Sequence, residues 1–104
     1  MIPKFRAWDK IRNRISEVER IYIDTKGVRL RDENGEYWRR FDDVILMQST
    51  GLVDKNGKEI FEGDVVNIFG EKLSKIYYSD GAFCVDILIG GTPLHAFLSE
   101  QLEI

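Results

Sequence analysis

The sequence predicts an all-β protein built from short strands. Three observations support this fold class. Segments of four to eight residues are rich in β-branched and aromatic side chains, Gly-containing turn signals separate them, and the spacing between turns is about 8 to 12 residues. Strands of this length with turns at this spacing are typical of a small barrel or sandwich.

The first strand is predicted in "KFRAW", where Phe5 and Ala7 share one face and Arg6 and Trp8 the other, because successive strand side chains alternate. The other predicted strands are "RIYID", "VRLR", "EYWRRF", "DVILM", "DVVNIF", "KIYYS", "AFCVDILI" and "LHAFL". Each is short enough to belong to a hairpin or meander.

Turn signals lie between these segments. They are Lys26-Gly27, Asn34-Gly35, Asn56-Gly57, Asp80-Gly81, and Gly90-Gly91 ahead of Pro93. Asn-Gly between extended segments is a strong hairpin signal, because a type I′ turn requires positive φ at both central residues.

The stretch from residue 11 to 21 allows two interpretations. Ile11, Ile15, Val18 and Ile21 are spaced by four, three and three, which is a helical stripe. The segment "VERIYI" also alternates as a strand, and Asn13 is a weak helix former. Helix and strand both remain open at this stage.

A weak internal echo links "LRDENGEYWRRFDDVIL" from Leu30 with "LVDKNGKEIFEGDVVNI" from Leu52. Asp32 and Asn34 in the first copy correspond to Asp54 and Asn56 in the second. Two hairpins built by the same turn chemistry explain this echo at least as well as duplication does.

Length and composition indicate a globular protein. The 104 residues suit one compact domain or two small lobes, and 43% are hydrophobic. A single cysteine cannot form an internal disulfide. No apolar run approaches the roughly 20 residues of a membrane span and "MIPKFRAWD" lacks a signal-peptide core, so we expect a cytoplasmic protein.

Charge is unevenly distributed along the chain. Residues 1–46 carry 11 Lys and Arg against 9 Asp and Glu, whereas residues 47–104 carry 4 against 9. The overall charge of −3 argues weakly against nucleic-acid binding, and the asymmetry could orient two lobes or two subunits against each other.

The segment "TGLVDKNGKEIFEGDVVNIF" does not match a known ligand loop. An EF-hand needs glycine at loop position 6 and glutamate at position 12, but counting from Asp54 places Gly57 at position 4 and Val65 at position 12. A phosphate-binding loop is also absent. The sequence instead indicates a turn capped by the Asp54 side chain and made by Asn56-Gly57.

The opening "KFRAWD" and the central "MQSTGLVDKNGKEIFEGDVV" together resemble the YopX family of small proteins from phages and prophages. The family couples K-F-R-A-W-D to Q-x-T-G-L-x-D-K-N-G-x-x-I-[YF]-E-G-D-x-V. The matching positions taken as family-motif residues are Phe5, Arg6, Ala7, Trp8, Asp9, Thr50, Gly51, Leu52, Asp54, Asn56, Gly57, Ile60, Glu62, Gly63 and Asp64. Two long motifs in the right order make the resemblance specific.

The resemblance implies an all-β fold with an N-terminal β lobe, residues 1–47, and an SH3-like barrel, residues 48–104. Family members usually continue with a further strand, so this barrel is expected to lack the final strand if the chain is short or truncated. The family has no assigned biochemical role, and the motif residue types suit turns and core. The resemblance therefore implies a structural role for them and no catalytic, cofactor or metal site.

Candidate reactive residues are few. His95 is the only histidine, and "LHAFL" suggests an ordinary strand position without zinc ligands nearby. Cys84 lies in an apolar segment and is expected to be a small buried hydrophobe. Asp42 and Asp43 would point to opposite faces of a strand, and Glu62 and Asp64 suit turns, so no general-acid pair is predicted.

Arginine and tryptophan suggest an alternative. Side chains that could pair phosphates beside Trp8 and Trp38, if the protein binds single-stranded nucleic acid in phage replication or regulation, are Arg6, Arg12, Arg14, Arg39 and Arg40. Against this, Arg39 and Arg40 face opposite ways on a strand, and tryptophans are more often core or interface anchors.

We expect a non-enzymatic interaction or assembly module of phage or prophage origin. Short strands with open edges favour a homo-oligomer or another phage or host protein as the partner, with no membrane, metal or cofactor. The predicted core residues are Phe5, Trp8, Ile21, Ile23, Trp38, Leu46, Leu52, Ile60, Val65, Ile68, Tyr77, Phe83, Val85 and Ile87.

Overall fold

A computed structural model describes residues 4–86 and 91–104, and within these ranges the fold is all-β, as predicted. The strands of the described residues are β1 (Phe5–Asp9), β2 (Arg14–Tyr22), β3 (Gly27–Asp32), β4 (Gly35–Arg40), β5 (Val44–Val53), β6 (Glu59–Phe61), β7 (Val65–Ile68), β8 (Lys72–Lys75), β9 (Tyr77–Ser79), β10 (Ala82–Asp86), β11 (Gly91–Pro93) and β12 (Leu102–Glu103). Three 3-10 helices, each of three residues, are Phe41–Asp43, Leu94–Ala96 and Ser99–Gln101. A helix with the length and apolar character to cross a membrane does not occur in these ranges.

The chain forms two compact units, Met1–Gln48 and Ser49–Ile104. β5 begins in the first unit and ends in the second. Each unit has its own cluster of buried apolar side chains. The SH3-like assignment of residues 48–104 and the missing final strand stay predictions.

The sheet of the first unit is curled. Its strands pair in the order β4-β3-β2-β1-β5, all antiparallel. On a flat sheet the outermost strands would lie about 19 Å apart, since neighbouring strands are about 4.8 Å apart. The short helix Phe41–Asp43 alone joins β4 to β5, and such a link reaches about 14 Å. The sheet therefore bends until Arg39 Nε lies 3.2 Å from the carboxylate of Asp9.

The inner face of this sheet carries the first core. Strand alternation places Ala7 there beside Leu46 of β5, and Trp8 on the outer face. The buried residues of this core are Ala7, Val28, Leu30 and Val44, with Val18, Ile21, Tyr37, Phe41 and Leu46 partly buried against them.

Within the described residues, the second unit contains two three-stranded sheets and β6, which pairs with the end of β5. β7 pairs with β8 and β12, and β10 pairs with β9 and β11. Only the buried Ile76 separates β8 from β9, so the two act as one bent strand. The order then becomes β12-β7-β8/β9-β10-β11, in which the final strand β12 lies beside β7. The buried residues of this core are Ile60, Val66, Ile68, Ile76, Val85, Leu94 and Leu102.

The stretch from residue 11 to 21 is mainly strand β2, so the strand interpretation is right. A β-bulge between Val18 and Arg20 shifts the alternation of side chains. Val18 and Ile21 therefore both pack against the inner core although three residues separate them, whereas Ile15 stays exposed. The bulge produces the spacing that resembles a helical stripe.

One strand prediction in the second unit was wrong. "LHAFL" begins as a 3-10 helix, with Phe97 N donating to Leu94 O at 3.1 Å, because Pro93 ends β11 without a backbone donor. His95 therefore lies on this helix and not on a strand. "KIYYS" is strand except at Ile76, and "AFCVDILI" is strand through Asp86, with its last three residues outside the described ranges.

The predicted core is partly right. Ile60, Ile68 and Val85 are buried, and Phe5, Trp8, Ile21, Leu46, Leu52, Tyr77 and Phe83 are half-buried. Ile87 lies outside the described residues. Three assignments were wrong, because Ile23, Trp38 and Val65 are exposed.

Position along the strands explains these errors. Ile23 follows the end of β2, and Trp38 packs across the buried Gly27 on the outer face. Val65 and Ile68 cannot share a face in a regular strand, and Val66 is the residue that lies inside with Ile68.

The internal echo reflects shared turn chemistry. Asp32 accepts a hydrogen bond from Asn34 N at 2.8 Å, and Asp54 accepts one from Asn56 N at 2.9 Å. Both are Asx turns, but they join β3 to β4 and β5 to β6, which are not equivalent strands of the two units.

Candidate interaction surface

Asp9, the last residue of the N-terminal motif, fixes the turn between β1 and β2. Its fully buried carboxylate accepts hydrogen bonds from Ile11 N at 3.0 Å, Arg12 N at 3.4 Å and Arg39 Nε at 3.2 Å. Burial raises the pKa of Asp9, but the bonds from Arg39 and the turn outweigh it, and the pKa is lowered. The group is therefore held ionised as a structural anchor.

Asp54 has the same kind of role in the central motif. Its buried carboxylate accepts from Asn56 N and Lys58 N at 2.9 Å, and from Ile104 N at 3.0 Å. Burial raises its pKa, and the three backbone donors lower it by more. Gly57 completes the turn at φ +79°, a conformation that favours glycine. Asp54 thus links the turn to the strand region near Ile104.

Thr50, Gly51 and Leu52 shape the end of β5. Thr50 Oγ1 donates to Ile60 O at 2.7 Å and accepts from Leu52 N at 3.1 Å. Gly51 between them has φ +78°. These contacts hold the irregular pairing of β5 with β6.

The end of the central motif forms the corner between β6 and β7. Asp64 Oδ2 accepts from Phe61 N at 2.8 Å, and Gly63 N donates to Ile76 O at 2.9 Å. Ile60 is buried in the second core and Glu62 is half-buried. In both motifs the polar side chains with described bonds mainly contact backbone groups of turns and corners.

The arginines proposed for nucleic-acid contact mostly pair with carboxylates of the chain. The nearest approaches are Arg12 to Asp32 at 3.0 Å, Arg14 to Glu33 at 2.8 Å, Arg39 to Asp9 at 3.2 Å and Arg40 to Asp43 at 3.2 Å. Arg12 and Arg39 also flank the Tyr37 ring, 4.2 and 4.7 Å from its centre. Arg6 lies on the other face, with Nη2 3.7 Å from Met47 Sδ. The structure therefore does not bring the five together.

The candidate reactive residues are separated. His95 is exposed at a cleft of about 280 Å³ in the second unit. The cleft is lined by Thr50, Leu52, Gly81, Ala82, Phe83, Leu94 and His95. Cys84 is buried, and its thiol lies 3.7 Å from Ala82 O. Asp42 and Asp43 lie on a 3-10 helix, so the assumption that they alternate on a strand was wrong.

No metal site is evident in the part of the chain that the structure describes. Nowhere in residues 4–86 and 91–104 do three His, Cys, Asp or Glu side chains come together as ligands would. Among the described residues that line the cleft at His95 there is no carboxylate.

The outer face of the first unit carries an exposed apolar row. Trp8 is the register partner of Ile15 on one side and of Ile45 on the other. Ile15 is 47% exposed and Ile45 51% exposed, and Trp8 is half-buried between them. We call these three residues the apolar row. A face on which two exposed isoleucines flank a partly exposed tryptophan on adjacent strands marks a candidate interaction surface.

The sequence pattern predicts Trp8 in the core, and it indicates neither Ile15 nor Ile45 as part of a surface site. The signal was available in part, since Phe5 and Ala7 share the face opposite Trp8. The register that brings Ile15 and Ile45 beside Trp8 required the structure, because pairing partners 7 and 37 residues away do not follow from strand pattern alone.

Comparison with known proteins identifies the family. The family described as YopX protein matches residues 4–104. The chain belongs to the YopX family. A comparison with curated proteins found no match.

A solved structure is similar to this YopX-family chain. The crystal structure of protein EF1440 from Enterococcus faecalis is 29% identical, with a TM-score of 0.61 over 86% of this chain and 80% of that chain. The comparisons thus confirm the resemblance carried by the two motifs.

Proposed function

We propose that this YopX-family protein is a non-enzymatic interaction module of phage or prophage origin, acting in the cytoplasm of the bacterial host. It binds another protein through the outer face of the first unit. The observation that carries this proposal is the apolar row on three adjacent strands, in which the exposed Ile15 and Ile45 flank the half-buried Trp8.

The energetics of the apolar row favour a protein partner. Fully burying an isoleucine contributes about 1.5 to 3 kcal/mol, so covering the exposed half of Ile15 and of Ile45 contributes roughly 1 kcal/mol each. Tryptophan is enriched among residues that dominate binding energy, and here it lies between the two isoleucines. A partner that covers the row gains both contributions together.

The proposal that the protein is not an enzyme rests on what its buried carboxylates and its histidine contact. The described donors to the buried Asp9 carboxylate, two backbone amides and Arg39, all bind Oδ1, and backbone amides bind both oxygens of Asp54, so both groups hold turns. The exposed imidazole of His95 lines a cleft whose described lining residues include no carboxylate that could orient it as a base.

Site-specific photo-crosslinking tests the proposal. A benzophenone amino acid is placed at Ile45, and in a matched variant at Leu73, an apolar strand residue of the second unit that is 67% exposed. We expect discrete adducts from Ile45, either in the purified protein or in the induced host, and none at comparable yield from Leu73. Equal or absent adducts from both positions, in both settings, would contradict the proposal.

A further inference from the structure

We propose that the partner at the apolar row is a second copy of this chain that packs face to face with the first. The two copies are related by a two-fold axis that lies above the outer face, midway between β1 and β2 and parallel to these strands. The inference rests on the proposed function and specifies the occupant of the same surface. It comes from the chemical pattern on the outer face of these two strands.

Two neighbouring pairs of side chains on the outer face define this pattern. Trp8 and Ile15 are register partners across β1 and β2, and so are Arg6 and Glu17. The second pair lies two residues further along each strand, about 7 Å away. The four side chains thus form a square, with one apolar pair and one pair of opposite charge.

This square is complementary to itself. A two-fold axis between β1 and β2 exchanges the two strands between copies. Trp8 of one copy then lies on Ile15 of the second copy, and Arg6 lies opposite Glu17 of the second copy. In an isologous interface every such contact occurs twice. The arrangement therefore buries the aromatic ring on an aliphatic side chain and places opposite charges together, without like charges at the centre.

Neighbouring charges on this face do not oppose the pairing. Arg31 lies 2.7 Å from Glu19 and 3.0 Å from Glu36, so these side chains form ion pairs within each copy. The same rotation brings Met47 of one copy towards Arg31 of the second copy. Arg6 already contacts Met47 through its guanidinium, which shows that this thioether accepts a neighbouring arginine.

Charge complementarity favours a second copy over an unrelated partner, because the chain itself supplies the matching charge and the matching apolar group at the symmetric positions. The face is the convex side of a curled sheet, so the contact is smaller than the roughly 800 Å² per partner of a standard interface. We therefore expect a reversible dimer with micromolar affinity.

Sedimentation velocity over about a hundredfold range of concentration measures the dimer. Arg6→Glu places like charges opposite each other twice, and so does Glu17→Arg, so each variant should dissociate at least about tenfold more readily. Mixing the two variants should restore association in a heterodimer. One contact then pairs the two introduced side chains, of opposite charge, and the other pairs the two native ones, Arg6 and Glu17. Leu73→Glu is the control and should dimerise like the unaltered chain.

If association is restored when the two variants are mixed, the contact between Arg6 and Glu17 lies between chains. A contact within one chain would not be repaired by adding a second variant. If the two reversal variants fold, as judged by circular dichroism, and fail to associate when mixed, the proposed axis is wrong. An unaltered chain that stays monomeric at all concentrations also overturns the inference. If Arg6→Glu does not fold, Ile15→Glu replaces it, and equal dissociation constants for this variant and Leu73→Glu would overturn the inference.

The two proposals can fail separately. A monomeric protein that still forms adducts from Ile45 with a host protein overturns the second copy and leaves the interaction surface standing. A dimer that Arg6→Glu and Glu17→Arg each weaken, and that mixing the two variants restores, supports the interaction surface and the second copy alike.

Discussion

Removing the carboxylate of Asp54 should strongly destabilise the second unit. The carboxylate is buried and accepts three backbone hydrogen bonds, from Asn56, Lys58 and Ile104. The two bonds within the turn resemble a capping interaction, worth about 0.5 to 2 kcal/mol. The bond from Ile104 is made by a buried charged acceptor and is worth about 1.5 to 3 kcal/mol. Together they predict a loss of about 2 to 5 kcal/mol for Asp54→Ala.

The replacement Asp54→Asn separates the two contributions. An asparagine can keep one oxygen towards Asn56 and Lys58, but its amide nitrogen cannot accept from Ile104. We therefore expect a loss of about 1 to 3 kcal/mol, between the unaltered chain and Asp54→Ala. Urea unfolding followed by far-ultraviolet circular dichroism gives the free energies. Asp42→Ala is the control, since Asp42 is exposed, and should change stability by less than about 0.5 kcal/mol.

The effect of Asp54 should also depend on pH. Its pKa in the folded chain is below the ordinary value of 3.8. Its ionised form therefore stabilises the fold fully above pH 3.8, and this contribution is lost as the pH falls through the lower folded pKa. The difference in the free energy of unfolding between the unaltered chain and Asp54→Asn should therefore decrease in acid. If Asp54→Ala matches Asp42→Ala at neutral pH, the assignment of Asp54 as an anchor is refuted.

Further predictions concern packing, ionisation and nucleic acid. Gly27→Ala should cost about 1 to 3 kcal/mol in urea unfolding and alter tryptophan fluorescence, because its Cβ would meet the ring of Trp38; unchanged fluorescence and stability would contradict this packing. In a tyrosinate absorbance titration, Tyr77 should ionise last, since its hydrogen bond to Asp86 raises the pKa to about 12, and Asp86→Asn should remove the late step. Persistence of that step in the variant would assign it to another tyrosine. Single-stranded oligonucleotides should show no gel shift at low salt, because four of the arginines once considered for contact already pair with carboxylates; a salt-dependent shift would favour the alternative function.

Local chemistry made several features predictable from the sequence. Turns form at the expected Asn34-Gly35 and Asn56-Gly57 positions, because the preceding aspartate and the glycine act within a few residues. Only the glycine of each pair has positive φ, so the type I′ form predicted for these two turns was wrong, whereas Asp80-Gly81 has positive φ at both residues. The alternation of Phe5 and Ala7 against Trp8 also follows from the strand period alone.

Errors arose where distant strands decide the outcome. The sequence pattern predicts Val65, Ile23 and Trp38 as core, but all three are exposed, and Val66 is buried in place of Val65. Side-chain alternation limits which residues share a face, but the face that becomes buried depends on packing against other elements. The bulge after Val18 likewise could not be read from spacing, since it exists only in the pairing of β2 with β3.

The sequence by itself determined the all-β class, the hairpin turns and the membership of the YopX family, because these depend on residue types at short range and on two continuous motifs. Only the tertiary structure decided the candidate site. Trp8 meets Ile15 and Ile45 through the register of three strands, and Asp9 meets Arg39 through the curl of a sheet. Such contacts are set by long-range pairing, which the local pattern of a chain does not specify.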